Sequence, residues 1–172
     1  NERNFTYDGL GRLLTSQDLH ASGDSSFGVL TYTYDNAGNI LTKVDPNSNT
    51  VNYIYDDINR NLTEDNTGTA GTEVANVYDT CTNGIGHLCS ATTENSSTAY
   101  TYNALGQVSQ ETKTINSTAY PTSYNYNRQG QQSLITYPDN SQVRNNYNTA
   151  GQLEKVEQKE NGGSFGDVVS NY

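Results

Sequence analysis

Cys81, His87 and Cys89 form the densest group of metal-ligating and redox-active side chains in this 172-residue chain. Structural zinc takes four ligands, usually in closely spaced pairs, and these residues supply at most three at an unfamiliar spacing. Two such thiols can also pair as a disulfide or remain free, so three readings stand at this point. Acid–base chemistry has less to draw on. His20 and His87 are the only histidines, each in or beside a turn-rich stretch, with no serine-centred or carboxylate motif nearby. Asp56 and Asp57 are adjacent carboxylates of the kind glycosidases pair, but the pattern described next makes Asp56 a turn residue and Asp57 a solvent-facing one. Asp45 and Asp139 are single loop carboxylates without EF-hand spacing. No catalytic residue, cofactor or metal ion is therefore expected.

The elements that hold these groups follow a tyrosine beat. Tyr7, Tyr34, Tyr55, Tyr78, Tyr102, Tyr126, Tyr147 and Tyr172 recur every 21 to 27 residues, and all but Tyr172 precede Asp or Asn. Self-similarity on this scale marks a repeat architecture whose units bury their apolar faces only against neighbours. After the anchor comes a turn, as in Tyr7-Asp8-Gly9-Leu10-Gly11 and Tyr102-Asn103-Ala104-Leu105-Gly106. Its Asx side chain can bond the backbone two residues on, and its fourth residue suits positive φ, which predicts a type I turn closed by a glycine bulge. Positive φ is expected at Gly11, Gly38, Asn59, Gly106, Gly130 and Gly151, whereas Gly162, in a loose connector, is expected to tolerate a side chain. Phe5, Tyr32, Tyr53, Tyr100 and Tyr124 stand two residues before their anchors, on the same strand face. Short β-compatible runs follow each turn and end in polar connectors such as Ala21-Ser22-Gly23-Asp24 and Asp45-Pro46-Asn47-Ser48-Asn49.

This reads as an all-β fold: antiparallel β-hairpin repeats forming one continuous curved or spiralling sheet, with residues 1–172 a single array of about seven units. The anchors Tyr34, Tyr55, Tyr102 and Tyr126 should point to one side of it, and the tyrosines should stack from hairpin to hairpin. Leu, Ile, Val and Phe supply about 17% of the residues, so the core should be thin. The formal net charge is −10, and its nine Lys and Arg are scattered singly. Without a basic stripe, nucleic acid and anionic membrane surfaces are poor candidates as partners. No apolar run approaches the ~20 residues of a membrane span, so no membrane insertion is expected. Four Asn-x-Ser/Thr triplets, at Asn4, Asn61, Asn95 and Asn116, are no more than the abundance of these residues supplies by chance.

The stretch Phe5-Thr6-Tyr7-Asp8-Gly9-Leu10-Gly11-Arg12-Leu13, repeated as Tyr32-Thr33-Tyr34-Asp35-Asn36-Ala37-Gly38-Asn39-Ile40, resembles the tyrosine-aspartate (YD, or RHS) repeat family over nearly the whole chain. Departures are Asn for Asp in the last three internal anchors, Asn59 for Gly, and four extra residues in the fourth unit. The resemblance implies large bacterial secreted or surface proteins, and animal teneurins, in which a β-ribbon spirals into a hollow shell that often encloses a toxic C-terminal domain. Toxin members close the shell with a cap bearing an aspartic self-cleavage site. Asp45-Pro46 is not followed by that motif's glycine-rich continuation, so the chain reads as an excerpt of repeat wall, an expectation its non-Met start also prompts. Expected partners are further repeats of the same or identical chains and an encapsulated toxin domain. Surface glycans or proteins are weaker ones, and a self-assembling extracellular fibre or adhesin is the alternative function. In an extracytoplasmic protein, Cys81 and Cys89, which bracket an enlarged turn, are expected to form a disulfide. The flanking repeats should survive its reduction, on the premise that packing between neighbours does not run through this loop.

Overall fold

The computed structural model describes residues 3–17 and 28–170. The anchor Tyr172, His20 and the connector at 21–24 lie outside them. The fold is all-β, a 15-stranded antiparallel sheet that does not close, with strands in sequence order. Contacts divide the chain into two units.

The first unit runs to Asn76 and includes Thr92–Glu94. It holds β1 (Asn4–Tyr7), β2 (Leu13–Gln17), β3 (Val29–Tyr34), β4 (Ile40–Val44), β5 (Thr50–Tyr55), β6 (Asn61–Asn66) and the start of β7 (Val74–Tyr78). The second comprises Val77–Ala91 and the chain from Asn95. It holds most of β8 (Leu88–Thr93), then β9 (Ser96–Tyr102), β10 (Val108–Ile115), β11 (Thr118–Tyr126), β12 (Gln132–Thr136), β13 (Gln142–Tyr147), β14 (Leu153–Lys159) and β15 (Gly166–Ser170).

Within each unit the meander satisfies backbone polar groups from strands adjacent in sequence. Beside every anchor turn whose two strands lie in one unit, the ladder carries a one-residue β-bulge. Tyr7 faces Leu13 while Thr6 faces Thr15, leaving Leu14 unopposed. The same slip leaves out Leu41 and Leu62 in the first unit and Ser109, Ser133 and Glu154 in the second. A bulge adds local twist and re-aims side chains. Here the unopposed residue stands three positions after the turn's positive-φ residue.

The connectors at the opposite strand ends are more regular than their composition suggests. Asp45–Asn49 repeats the anchor-turn frame: the Asp45 N–H donates to the Asn49 carbonyl at 2.9 Å, the Ser48 N–H to the Asp45 carbonyl at 3.0 Å, and Ser48 takes φ 68. Tyr137–Ser141 does the same, with Asn140 at φ 66. Asn116 and Ser117, at φ 47 and 64, form the two-residue mirror-image turn that suits strand twist. The core is thin: among the described residues the buried apolar side chains are Cys89 and Tyr102, with Ser141 the buried polar one.

Candidate functional site: the anchor-turn ladder

Each anchor turn is a closed hydrogen-bond unit. The Asp8 N–H donates to the Arg12 carbonyl at 2.9 Å, and the Gly11 N–H returns a bond to the Asp8 carbonyl at 3.0 Å. Asp8 Oδ1 accepts from the Leu10 and Arg12 N–H groups, both at 2.9 Å, while Oδ2 takes the Arg12 Nε at 2.6 Å. Asp56 repeats this with Ile58 and Arg60, and Asp35 with Asn39, whose amide donates to Oδ2 at 2.8 Å. Positive φ occurs at all six expected positions: Gly11 80, Gly38 95, Asn59 65, Gly106 76, Gly130 80 and Gly151 80. Gly162 stands at φ 74 as well. It is no loose-connector residue, because it precedes Gly163, whose N–H closes a turn on the Glu160 carbonyl at 2.9 Å.

In the three regular anchor turns of the second unit, which leaves aside the enlarged Asp79 turn, the first residue is Asn and its partner is Gln. Asn103 Oδ1 accepts from the Leu105 and Gln107 N–H groups, and its Nδ2 donates to Gln107 Oε1 at 2.9 Å. Asn127 with Gln131 and Asn148 with Gln152 repeat the set. An Asp, which only accepts, thus meets a donor side chain, whereas an Asn, which has a donor to place, meets an amide oxygen.

The partner side chain also reaches the next turn. Arg12 Nη1 donates to the Asp35 carbonyl at 2.9 Å and Asn39 Nδ2 to Asn59 Oδ1 at 2.7 Å. In the second unit Gln107 Nε2 donates to the Gly130 carbonyl at 2.8 Å, and Gln131 Nε2 to the Gly151 carbonyl at 2.6 Å. The anchor tyrosine completes the rung. Tyr34 donates its hydroxyl to the Leu13 carbonyl at 2.7 Å. Tyr102, Tyr126 and Tyr147 do likewise to Leu88, Val108 and Gln132 at 2.6, 2.8 and 3.0 Å. Every acceptor is the first residue of the strand that follows the preceding turn. The expected ladder of tyrosine rings is therefore realised differently at these positions. The hydroxyl makes the link, and the ring face takes a residue of the preceding turn: the Arg12 guanidinium 4.8 Å from the Tyr34 centroid, or His87 stacked on Tyr102 at 4.4 Å. Tyr7, in the end strand β1, stays 59% exposed, against 8% for Tyr102. Tyr55 and Tyr78 close β5 and β7 at the matching positions.

These bonds hold the turn carboxylates below their ordinary range. Asp8 is lowered chiefly by the Arg12 backbone N–H, then by its guanidinium and by Leu10, against partial desolvation. Asp35 and Asp45 are lowered first by the amides of Asn39 and Asn49. For Asp56, desolvation pushes upward, and the Arg60 backbone and guanidinium with the Ile58 N–H outweigh it. Glu157, held by Lys155 and Asn146 and drawn further by Arg144, falls to about 2. Carboxylates fixed in the charged state are poor proton donors at neutral pH.

The enlarged turn keeps the same frame. The Asp79 N–H still donates to the His87 carbonyl at 3.1 Å, and Asp79 Oδ1 accepts from Gly86 at 2.7 Å. Cys81 and Cys89 are bonded to each other, and the loop between them folds onto the next anchor. The Tyr102 N–H donates to the Thr82 carbonyl at 3.1 Å, and Asn83 Nδ2 donates to the Tyr102 carbonyl at 2.8 Å. Packing between neighbouring repeats does run through this loop, contrary to the premise drawn from the sequence. Asn83, at φ 53, gave no sign of this role beyond standing before Gly84. Among the described residues no three His, Cys, Asp or Glu side chains gather to hold a metal, and no helix is long and apolar enough to cross a membrane.

The RHS Repeat family matches residues 7–50, which span the Asp8 and Asp35 turns and the Asp45 connector. That stretch is similar to an RHS repeat. No curated protein matches its sequence, but solved structures match its fold. The TcdB2-TccC3 crystal structure superposes with a TM-score of 0.82 at 15% identity, covering 98% of this chain and 10% of that one. The TcdB2-TccC3-Cdc42 complex gives 0.80 at 14%, covering 98% and 9%. The Photorhabdus luminescens Tc holotoxin pore gives 0.77 at 15%, again covering 98% and 9%. The chain thus spans about a tenth of the length of the structures it matches.

Proposed function

We propose that this RHS segment is a non-enzymatic structural module, a stretch of wall in an extracellular shell that encloses a toxin domain. The observation that carries this reading is the rung itself. Asp8, Asp35, Asp56, Asn103, Asn127 and Asn148 each spend their side chain on their own turn, whereas an active site gathers unlike groups once, in one pocket. The fold shared with Tc toxin structures supports the shell, and the whole of residues 1–172 then acts as one array. Partners are further repeats of the parent chain and the enclosed domain. An extracellular fibre is the second reading, in which repeat units would pair between chains through open strand edges.

Electron microscopy of the intact parent protein separates the readings. Closed hollow particles are expected, and filaments with an axial repeat would replace the shell with the fibre. A single substitution among Asp8, Asp35, Asp56, Asp79 or His87 that abolished the parent's activity while leaving particles intact would overturn the structural role.

A further inference from the structure

We infer that the Cys81–Cys89 loop is a redox-operated clasp on the neighbouring repeat: oxidised, it locks the end of β9, and reduced, it releases Tyr102 while the array stays folded. The inference concerns this chain's own loop and does not depend on the shell reading.

Three observations converge. First, the loop occupies both backbone groups of Tyr102, through Thr82 and Asn83, while His87 covers the ring. Tyr102 is the one anchor among the described residues counted as buried. Second, the loop's shape depends on the bridge. A Cβ on Gly84 would lie 2.4 Å from Cys81 Sγ and 2.7 Å from Cys89 Sγ, so the backbone wraps directly over the two sulfurs, and Gly84 is itself tied to the Cys81 carbonyl at 2.9 Å. Without the bridge, the exposed loop keeps only its turn bonds, Gly84 on Cys81, His87 on Gly84 and Gly86 on Asp79, and solvent-exposed backbone bonds of this kind open readily. Third, the ordinary rung does not need a bridge: the hydroxyl bond that Tyr102 makes to Leu88 has equivalents at Tyr126 and Tyr147, where no disulfide stands.

The chemistry is thiol–disulfide exchange with a dithiol. Cys81 is half-buried and Cys89 is 5% exposed, so the attacking thiolate forms its S–S bond to Cys81, and the Cys81–Cys89 bond breaks with its electron pair leaving on Cys89 sulfur. The Cys81 backbone N–H, 2.9 Å from that sulfur, stabilises the departing thiolate. The dithiol's second thiolate then displaces Cys81 and is left as a disulfide, and water supplies one proton to each cysteine.

Amide hydrogen exchange on the intact chain, with and without dithiothreitol, tests the clasp. Reduction is expected to speed exchange at Tyr102 by ~tenfold or more, and to leave Asn127 and Gly130, bonded within the next turn, unchanged. Asn83→Ala should raise exchange at Tyr102 while the disulfide remains intact. Unaltered Tyr102 exchange once both thiols alkylate would overturn the inference, and so would loss of protection throughout the second unit.

Discussion

The two units build the same rung from different chemistry. In the first, Asp8, Asp35 and Asp56 face Arg12, Asn39 and Arg60. In its regular turns the second uses Asn103, Asn127 and Asn148 against Gln107, Gln131 and Gln152. Their packing differs as well. A Cβ at Gly11 or Gly38 would meet nothing within 4 Å, but at Gly106, Gly130 and Gly151 it would meet His87, Gln107 and Gln129 at 3.0, 3.3 and 3.4 Å. The turn's backbone geometry is thus the constant, and the means of tying one turn to the next is the variable. Ionic turns leave open space beside the glycine, whereas amide turns fill it.

The largest expected effect probes that packing. Gly106→Val places a β-branched side chain at φ 76 and against the His87 ring, so strain and crowding add, for a loss of ~3 kcal/mol. Gly11→Val, at φ 80 with open space around it, should cost only the strain, ~1–2 kcal/mol. Gly9→Val, in the same turn without positive φ, should be close to neutral. Urea unfolding of the three variants ranks them, and equal losses at Gly106 and Gly11 would erase the packing difference between the units.

Acid probes the charge difference. A carboxyl whose folded value lies below its unfolded one contributes stability above the unfolded value, and that contribution disappears as pH falls through the folded value. Asp8, Asp35, Asp45 and Asp56 are all lowered from 3.8, so the first unit's turns should loosen as pH drops below about 4. Amide exchange, corrected for intrinsic rates, should show Gly11, Gly38 and Asn59 losing protection before Gly106 and Gly130, whose turns contain no titrating side chain. Gly151 is a weaker control, because Glu157 on the adjoining β14 gives up its contribution between 4.5 and about 2. Simultaneous loss in both units would show that the turn carboxylates do not set the acid limit.

Most of this frame was legible because a turn's needs are local. The Tyr-Asx-x-x-Gly spacing carries the positive φ and the Asx bonds with no reference to the rest of the chain. The bulge was not legible, since its unopposed residue is Leu in the first unit but Ser or Glu in the second, and the slip lies in the pairing of two strands. Nor was the tyrosine's hydroxyl bond, which joins residues such as Tyr34 and Leu13 through a backbone carbonyl that no side-chain pattern records. Asp45–Asn49 repeats the turn's bonds with Val44 where the anchor tyrosine stands and Ser48 where glycine or Asn59 stands, and those exchanges hid a turn of the same kind. The clasp on Tyr102 escaped because an inserted loop has no counterpart in the other repeats to reveal where it lands.

The smallest expected effect tests whether each Asx residue is matched to its partner. Asn103→Asp keeps the two backbone bonds but replaces the Nδ2 donor with an acceptor facing Gln107 Oε1. Gln107 can turn its amide to donate to the new carboxylate, yet its Nε2 already holds the Gly130 carbonyl, and turning would set oxygen against oxygen there. Adding Gln107→Arg supplies what the first unit uses: Nε for the carboxylate and a guanidinium nitrogen for the next turn's backbone, as Arg12 does for Asp8 and Asp35. The double variant should therefore be more stable than the sum of the single changes, with a coupling of ~0.5–1 kcal/mol, and the coupling should fade in acid as the new carboxylate protonates. A urea-unfolding double-mutant cycle at neutral pH and near pH 3 measures both. Strict additivity at neutral pH would mean that Asp–Arg and Asn–Gln turns are interchangeable residue by residue, and that the two units differ in composition without differing in how their rungs are held.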